Sequence, residues 1–277
     1  MEKSEKDISN ELKKYCDYYD IPFEHIVNVM SDLKVIPMLR GKGFEYTVSD
    51  VLKILLSEDK WKIENPNINA QSEVHDVDVH IKRKKDNKEI RVECKLAKKD
   101  SISLGENPHF QVKCMRSRTI SDNEMATRMA NRYGVSRESI LAHADNYREG
   151  DFDFVITSMG NAFWTTEDNG SYIFKTDKEQ IKEFSKLFPK SFSEKDSIQE
   201  FKKKAFNFML FAKSSDIKIS LNNKIICARR KCIQEGNSKN CGFIPNYPII
   251  NLKELSEGKG AWKQLEDIEK ESNNFLK

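Results

Sequence analysis

The 277 residues, 38% hydrophobic and 33% charged, suffice for one large domain or a core with an appended lobe, with no need for disulfides or a partner to complete a hydrophobic interior. No apolar run approaches the roughly 20 residues of a membrane span, the first residues carry no apolar signal segment, and 11 Gly with 7 Pro exclude collagen-like and low-complexity chains. The expectation is a cytoplasmic globular protein with no membrane partner, whose net charge of +3 falls short of a purely electrostatic nucleic-acid binder.

In chain order, residues 1–38 read as a helical segment of mixed charge. Gly41-Lys42-Gly43 then introduces an amphipathic helix, because Phe44, Val48, Val51, Leu52 and Leu55 recur at helical spacing. Trp61 to Ile63 reads as a short strand ending at Asn65-Pro66. Two alternating stretches follow, Val77 to Ile81 and Ile90 to Leu96, each with the two-residue period of a half-buried strand. The polar run between them, centred on Asp86-Asn87, makes the pair a hairpin.

Ser121-Asp122-Asn123-Glu124 has capping-box spacing ahead of a helix through Met125 and Met129, with Gly134 as its C-cap and a second helix after Ser136. Asp153 to Thr157 reads as a further strand. Beyond it, helices are expected around 178–188, 197–211 and 263–276, and short strands at 171–175, 217–220 and 225–228. The order is helix, three strands, helix, strand, an α/β (α+β) arrangement around a mixed sheet with helical and small β elaborations. The expected division is a helical segment at 1–38, a core at 39–160 and an elaboration at 161–277.

Six cysteines stand at 16, 94, 114, 227, 232 and 241. The last three lack a nearby fourth ligand, the last histidine being His143, so they read as reduced thiols and not as a zinc site.

Hairpin parity locates the chemistry. With Asp86-Asn87 as a two-residue loop, paired positions sum to about 173, so Asp78 faces Lys95 directly and Glu93 is its diagonal neighbour on the same face. Val77, Val79, Val92 and Cys94 point to the other face, and Asp76 lies one step further from Glu93. His80 shares the active face, opposite Glu93. Two carboxylates at this spacing suit Mg²⁺, which keeps several waters and binds substrate phosphate, and an adjacent lysine stabilises charge on that phosphate. A plain cross-strand ion pair between Asp78 and Lys95 fits the same pattern.

Asp78 ahead of alternating apolar residues, Glu93-Cys94-Lys95 on the next strand, and a preceding helix carrying Gly43-Phe44-Glu45 together resemble the PD-(D/E)xK nuclease superfamily over roughly residues 40–160. Val77 stands where many members have proline. The resemblance implies a restriction-endonuclease-like core, with Asp78 and Glu93 as metal ligands, Lys95 as the catalytic lysine and Glu45 as the first-helix glutamate. It also implies Mg²⁺ as cofactor, with Mn²⁺ as a substitute.

In size and layout the chain is most similar to type II restriction endonucleases, which cut a short double-stranded DNA site. That implies a homodimer, a DNA methyltransferase encoded nearby, and DNA recognition in the C-terminal third. Lys113, Arg116 and Arg118, soon after the hairpin, and Arg229 and Arg230 further on, are candidate DNA contacts. A structure-selective repair or recombination nuclease of the same fold, or a DNA-binding module with a decayed core, are the alternatives.

Overall fold

The computed structural model describes residues 4–66, 77–116, 120, 122–220, 225 and 242–277. Its centre is a six-stranded mixed sheet. The strands are β1 (Trp61–Glu64), β2 (Val79–Arg83), β3 (Glu89–Cys94), β5 (Phe154–Ser158), β8 (Met209–Lys213) and β10 (Lys263–Gln264), which lie side by side in that order. β3 and β5 run parallel and every other neighbouring pair in this sheet is antiparallel. The crossover between the parallel strands carries β4 (His109–Gln111), α4 (Asn123–Tyr133) and α5 (Arg137–Ala142).

Side-chain alternation splits the sheet between two hydrophobic layers. Val79, Ile81, Ile90, Val92, Phe154, Ile156 and Phe211 meet Phe44, Val48 and Leu52 of α3 (Ile36–Leu55) and Ile268 of α10 (Ile268–Phe275) on one side. Val155, Leu210 and Ala212 turn to the other side, against α6 (Lys178–Leu187) and α7 (Ile198–Asn207). There Phe163 packs edge-on against Phe184 and Phe201, with centroids 5.5 and 5.2 Å away. With both faces covered, every residue of β5 is buried.

Smaller elements complete the chain. They are α1 (Glu5–Tyr18), α2 (Ile26–Ser31), the hairpin β6 (Trp164–Thr166) and β7 (Tyr172–Phe174), α8 (Ser214–Ile217), β9 (Ile249–Asn251), which pairs with β4, and α9 (Leu252–Ser256). Among the described residues, no helix is long and apolar enough to cross a membrane.

Local signals place several ends. Gly134 ends α4 at φ 63° as expected, but its N-cap is Asp122, accepting from the Glu124 and Met125 amides, and not Ser121 of the expected capping box, which lies outside the described residues. Ser136 caps α5. Other expectations are corrected. α3 begins five residues before Gly41, with Pro37 in its first turn, and runs through both glycines. The burial of Phe44, Val48 and Leu52 offsets the roughly 1 kcal/mol that each helical glycine costs.

The expected helix at 197–211 stops at Asn207, and Met209 to Lys213 is a strand. A short, continuously apolar run such as Phe208 to Ala212 has no period to separate the two states. Lys263-Gln264 is likewise strand, with the helix starting at Ile268. Residues 214–217 form a helical turn where a strand from 217 is expected. The strand expected at 225–228 lies outside the described residues, apart from Ile225.

The hairpin register differs by two. Val79 pairs with Val92 and Lys82 with Glu89, so pairs sum to 171 and the turn is four residues, Lys84 to Asn87. Arg83 and Asp86 hold it: Nε and Nη2 donate to the Asp86 carboxylate at 3.0 and 2.6 Å, while Asn87 adopts φ 55°. The ladder ends at Val79, so the bend before β2 and not the register places Asp78, whose N–H donates to the Val92 carbonyl and whose carboxylate accepts the Cys94 N–H.

Candidate active site at the β2–β3 edge

Glu93 sits near the C-terminal end of β3, where the parallel pairing sets it beside Val155 of β5. It is buried, and Oε1 takes the Tyr147 hydroxyl at 2.7 Å and the Lys95 ammonium at 2.5 Å. Lys95 lies one residue past the strand and is held there by its own N–H, which donates to the Ile156 carbonyl at 2.8 Å. Asp78 occupies a bend just before β2. Its Oδ2 accepts the Cys94 N–H at 2.8 Å, its N–H donates to the Val92 carbonyl, and its carbonyl accepts from Asn65 at the end of β1. That bend also turns Val77 into the opposite layer from Val79, a correction to the expected alternation.

Glu45 approaches from α3, paired with Lys42 one turn earlier. Burial, then the Glu93 and Glu45 carboxylates, push the Asp78 carboxyl up to about 8, against the opposing pull of Lys95 and the Cys94 amide. Burial disfavours the Lys95 charge, but Glu93, Tyr147 and Asp78 outweigh it, so Lys95 is held above its ordinary range. Lys95 is therefore a fixed cation, not a base, at neutral pH. Burial and Glu93 likewise drive the Tyr147 hydroxyl upward, so it serves as a hydrogen-bond donor.

Tyr147 is the residue the sequence reading missed. It lies in an irregular stretch between α5 and β5, where no periodicity marks a facing. Lys95 stands 5.1 Å over its ring and Arg116 5.2 Å. Arg116 is a partner in this site and not a bare surface cation: it pairs with Asp151 and donates from Nε to the Asn146 carbonyl at 2.8 Å. Lys113, by contrast, is exposed. His80 pairs with Arg91, not Glu93, and its Nδ1 is 3.4 Å from Glu89. Arg118, Arg229, Arg230, His75, Asp76 and the cysteines at 227, 232 and 241 lie outside the described residues. Cys16, Cys94 and Cys114 are free and buried.

Among the described residues, no group of three or more His, Cys, Asp or Glu side chains is placed to hold a metal. Asp78 and Glu93 nevertheless make a two-carboxylate oxygen donor set, and the upward shift of Asp78 reflects burial first and then repulsion from Glu93 and Glu45, which a cation would relieve. That set fits Mg²⁺, which takes one or two carboxylates and fills its remaining positions with water and phosphate. No family model, curated protein or solved structure matches the chain.

Proposed function

We propose that the protein is a Mg²⁺-dependent endonuclease of the type II restriction class, built on a PD-(D/E)xK-like core and hydrolysing phosphodiester bonds in double-stranded DNA. The observation that carries this reading is the convergence of Asp78, Glu93 and Lys95 on one edge of the β2–β3 hairpin, with Glu45 arriving from α3. The order α3–β1–β2–β3–α4–α5–β5, interrupted by the short β4, supports it further.

In this reading Asp78 and Glu93 hold the cation. When bound there, Mg²⁺ would supply Lewis-acid polarisation of the phosphate and would lower the pKa of water. Lys95 keeps its charge and stabilises the negative charge that grows on the phosphate oxygens. Tyr147 fixes the Glu93 carboxylate by donating to Oε1, and Arg116 steadies Tyr147 through its pairing with Asp151. Lys113 is exposed for phosphate contact, and Arg118, Arg229 and Arg230 remain proposed DNA contacts on sequence grounds alone.

A double-strand break needs two such sites, so the working form is a homodimer on a two-fold DNA site. A companion methyltransferase encoded nearby protects the host site. Digestion of a plasmid of known sequence in Mg²⁺, followed by run-off sequencing of the products, tests the reading. Breaks at one short recurring sequence support it; breaks at random positions, or only at branched structures, contradict the restriction class.

A further inference from the structure

One face of the β6–β7 hairpin gathers positive charge from three separate parts of the chain. Trp164 pairs with Phe174 and Thr166 with Tyr172, so the period of two puts all four side chains on the same face. Arg40 of α3 stands 4.3 Å and Lys202 of α7 4.7 Å from the centroid of the Trp164 ring, and Lys99 stands 4.0 Å from that of Tyr172. The three cations and the two rings are half-buried, so each keeps part of its surface in solvent.

These charges are held without being neutralised. Arg40 donates from Nη2 to the Asn161 amide oxygen at 2.6 Å, and Lys99 donates from Nζ to the Thr166 hydroxyl at 2.6 Å, both uncharged acceptors. Among the described residues, none of the three pairs with a carboxylate, and Glu167 and Asp168 in the hairpin turn reach none of them. Other arginines of the chain are matched with aspartates: Arg83 with Asp86, Arg91 with Asp153 and Arg116 with Asp151. Their titration differs accordingly. The aspartates raise Arg83 and Arg91, whereas burial draws Arg40 down from its ordinary value. An aromatic ring attracts a cation but does not cancel its charge, and like charges gathered over one face repel each other. The arrangement suits a ligand that brings several negative charges.

Two segments join this face to the candidate active site. Arg40 precedes Glu45 by five residues on α3, roughly 7.5 Å along the helix axis. Lys99 follows Lys95 by four residues, a reach of at most about 14 Å. Asn161 ties the two together, accepting from Arg40 and donating to the Ala97 carbonyl, and the Asp100 N–H donates to the Trp164 carbonyl at 2.9 Å. At about 3.4 Å per nucleotide along one strand, these lengths correspond to roughly two to four nucleotides.

The geometry points to the Arg40–Lys99–Lys202 face as the seat of the DNA phosphate backbone, a few nucleotides from the scissile bond. The inference rests on the nuclease reading and adds where the bound strand runs. The hairpin rings hold the cations in place, and the phosphates supply the negative charge that the chain itself withholds from them.

The full chain, with Ca²⁺ replacing Mg²⁺ to hold off cutting, is titrated by anisotropy with a fluorescein-labelled duplex at several salt concentrations. Lys99→Gln combined with Lys202→Gln should weaken binding about tenfold near 0.1 M salt. The slope of log affinity against log salt should become shallower by about two, one phosphate contact for each lysine. Lys99→Arg combined with Lys202→Arg keeps the charge and should keep the wild-type slope, which separates lost charge from a disturbed fold. Lys190→Gln combined with Lys195→Gln removes the same charge at exposed positions and should leave the slope as it is. A wild-type slope in the first pair, or an equal loss in either of the other two, overturns the assignment of this face while the nuclease reading stands. Failure of wild type to bind any duplex, even at low salt, removes both.

Discussion

Glu93 is held from two sides, by the Tyr147 hydroxyl at 2.7 Å and the Lys95 ammonium at 2.5 Å. The two partners act differently. In the proposed function Lys95 touches the substrate, whereas Tyr147 acts only through Glu93. Tyr147→Phe keeps the ring under Lys95 and Arg116 and removes one hydrogen bond to a charged group, worth about 1.5–3 kcal/mol. Turnover should fall about 10- to 150-fold with KM little changed, and steady-state kinetics on a defined duplex check this. An unchanged kcat would leave Tyr147 without a positioning role.

Asp78 gives a second expectation that needs no turnover. Its carboxyl rises from an ordinary value of 3.8 to about 8, so the folded chain retains a proton that the unfolded chain releases above pH 4. The raised value lends stability that is complete below pH 3.8 and is lost as pH climbs through 8. Above that pH, without divalent cation, Asp78→Asn should be more stable than wild type by about 1–3 kcal/mol. Added Mn²⁺ should raise the melting temperature of wild type and not of Asp78→Asn. Calorimetry in EDTA and in Mn²⁺ decides it, and equal responses to Mn²⁺ would exclude Asp78 as a ligand.

At the scale of elements, the β2–β3 hairpin shows what can be read in advance and what cannot. The period of two in Val79 to Ile81 and Ile90 to Cys94 marks both strands and sets Glu93 and Lys95 on one face. The register depends on the turn, and the four-residue turn rests on Arg83 reaching Asp86, a bond no periodicity encodes. An even slip keeps every paired residue on its face, but Asp78 lies beyond the last pair, at a bend that no alternation encodes. The same limit hid β8, whose apolar run reads equally as helix, and Tyr147, which an irregular stretch carries into the site.

Arg83 draws the Asp86 carboxyl down to about 2 from an ordinary 3.8. Asp86 thus contributes stability that is present above pH 3.8 and lost as pH falls through 2. Wild type should exceed Asp86→Asn in urea midpoint near pH 6, with the gap closing near pH 2. A gap independent of pH would mean the ion pair does not fix the turn.

Across the whole molecule, both layers of the sheet are filled, yet the N-terminal segment keeps large apolar side chains in solvent. Tyr18 is 79% exposed, Val27 69% and Met38 70%. Exposed apolar side chains of this kind are what a second copy would cover. The full chain should sediment as a dimer, and Tyr18→Ser combined with Val27→Ser should shift it toward monomer. A monomer mass with and without DNA, together with nicked circles accumulating during digestion, would exclude the dimer.

The central claim is cation-dependent strand cleavage by Asp78, Glu93 and Lys95, and supercoiled plasmid tests it most directly. Wild type, Glu93→Ala and Lys95→Ala are each incubated with it in Mg²⁺, in Mn²⁺ and in EDTA. Gel shift on the same DNA checks binding by both variants: losing the Glu93 carboxylate lessens repulsion of phosphate, and losing the single Lys95 cation leaves the other proposed basic contacts in place. The account predicts linear product from wild type in either cation, none in EDTA, and a loss of more than about 100-fold in both variants with binding retained. Cutting by wild type at full rate in EDTA, or by Glu93→Ala in Mg²⁺, would contradict it.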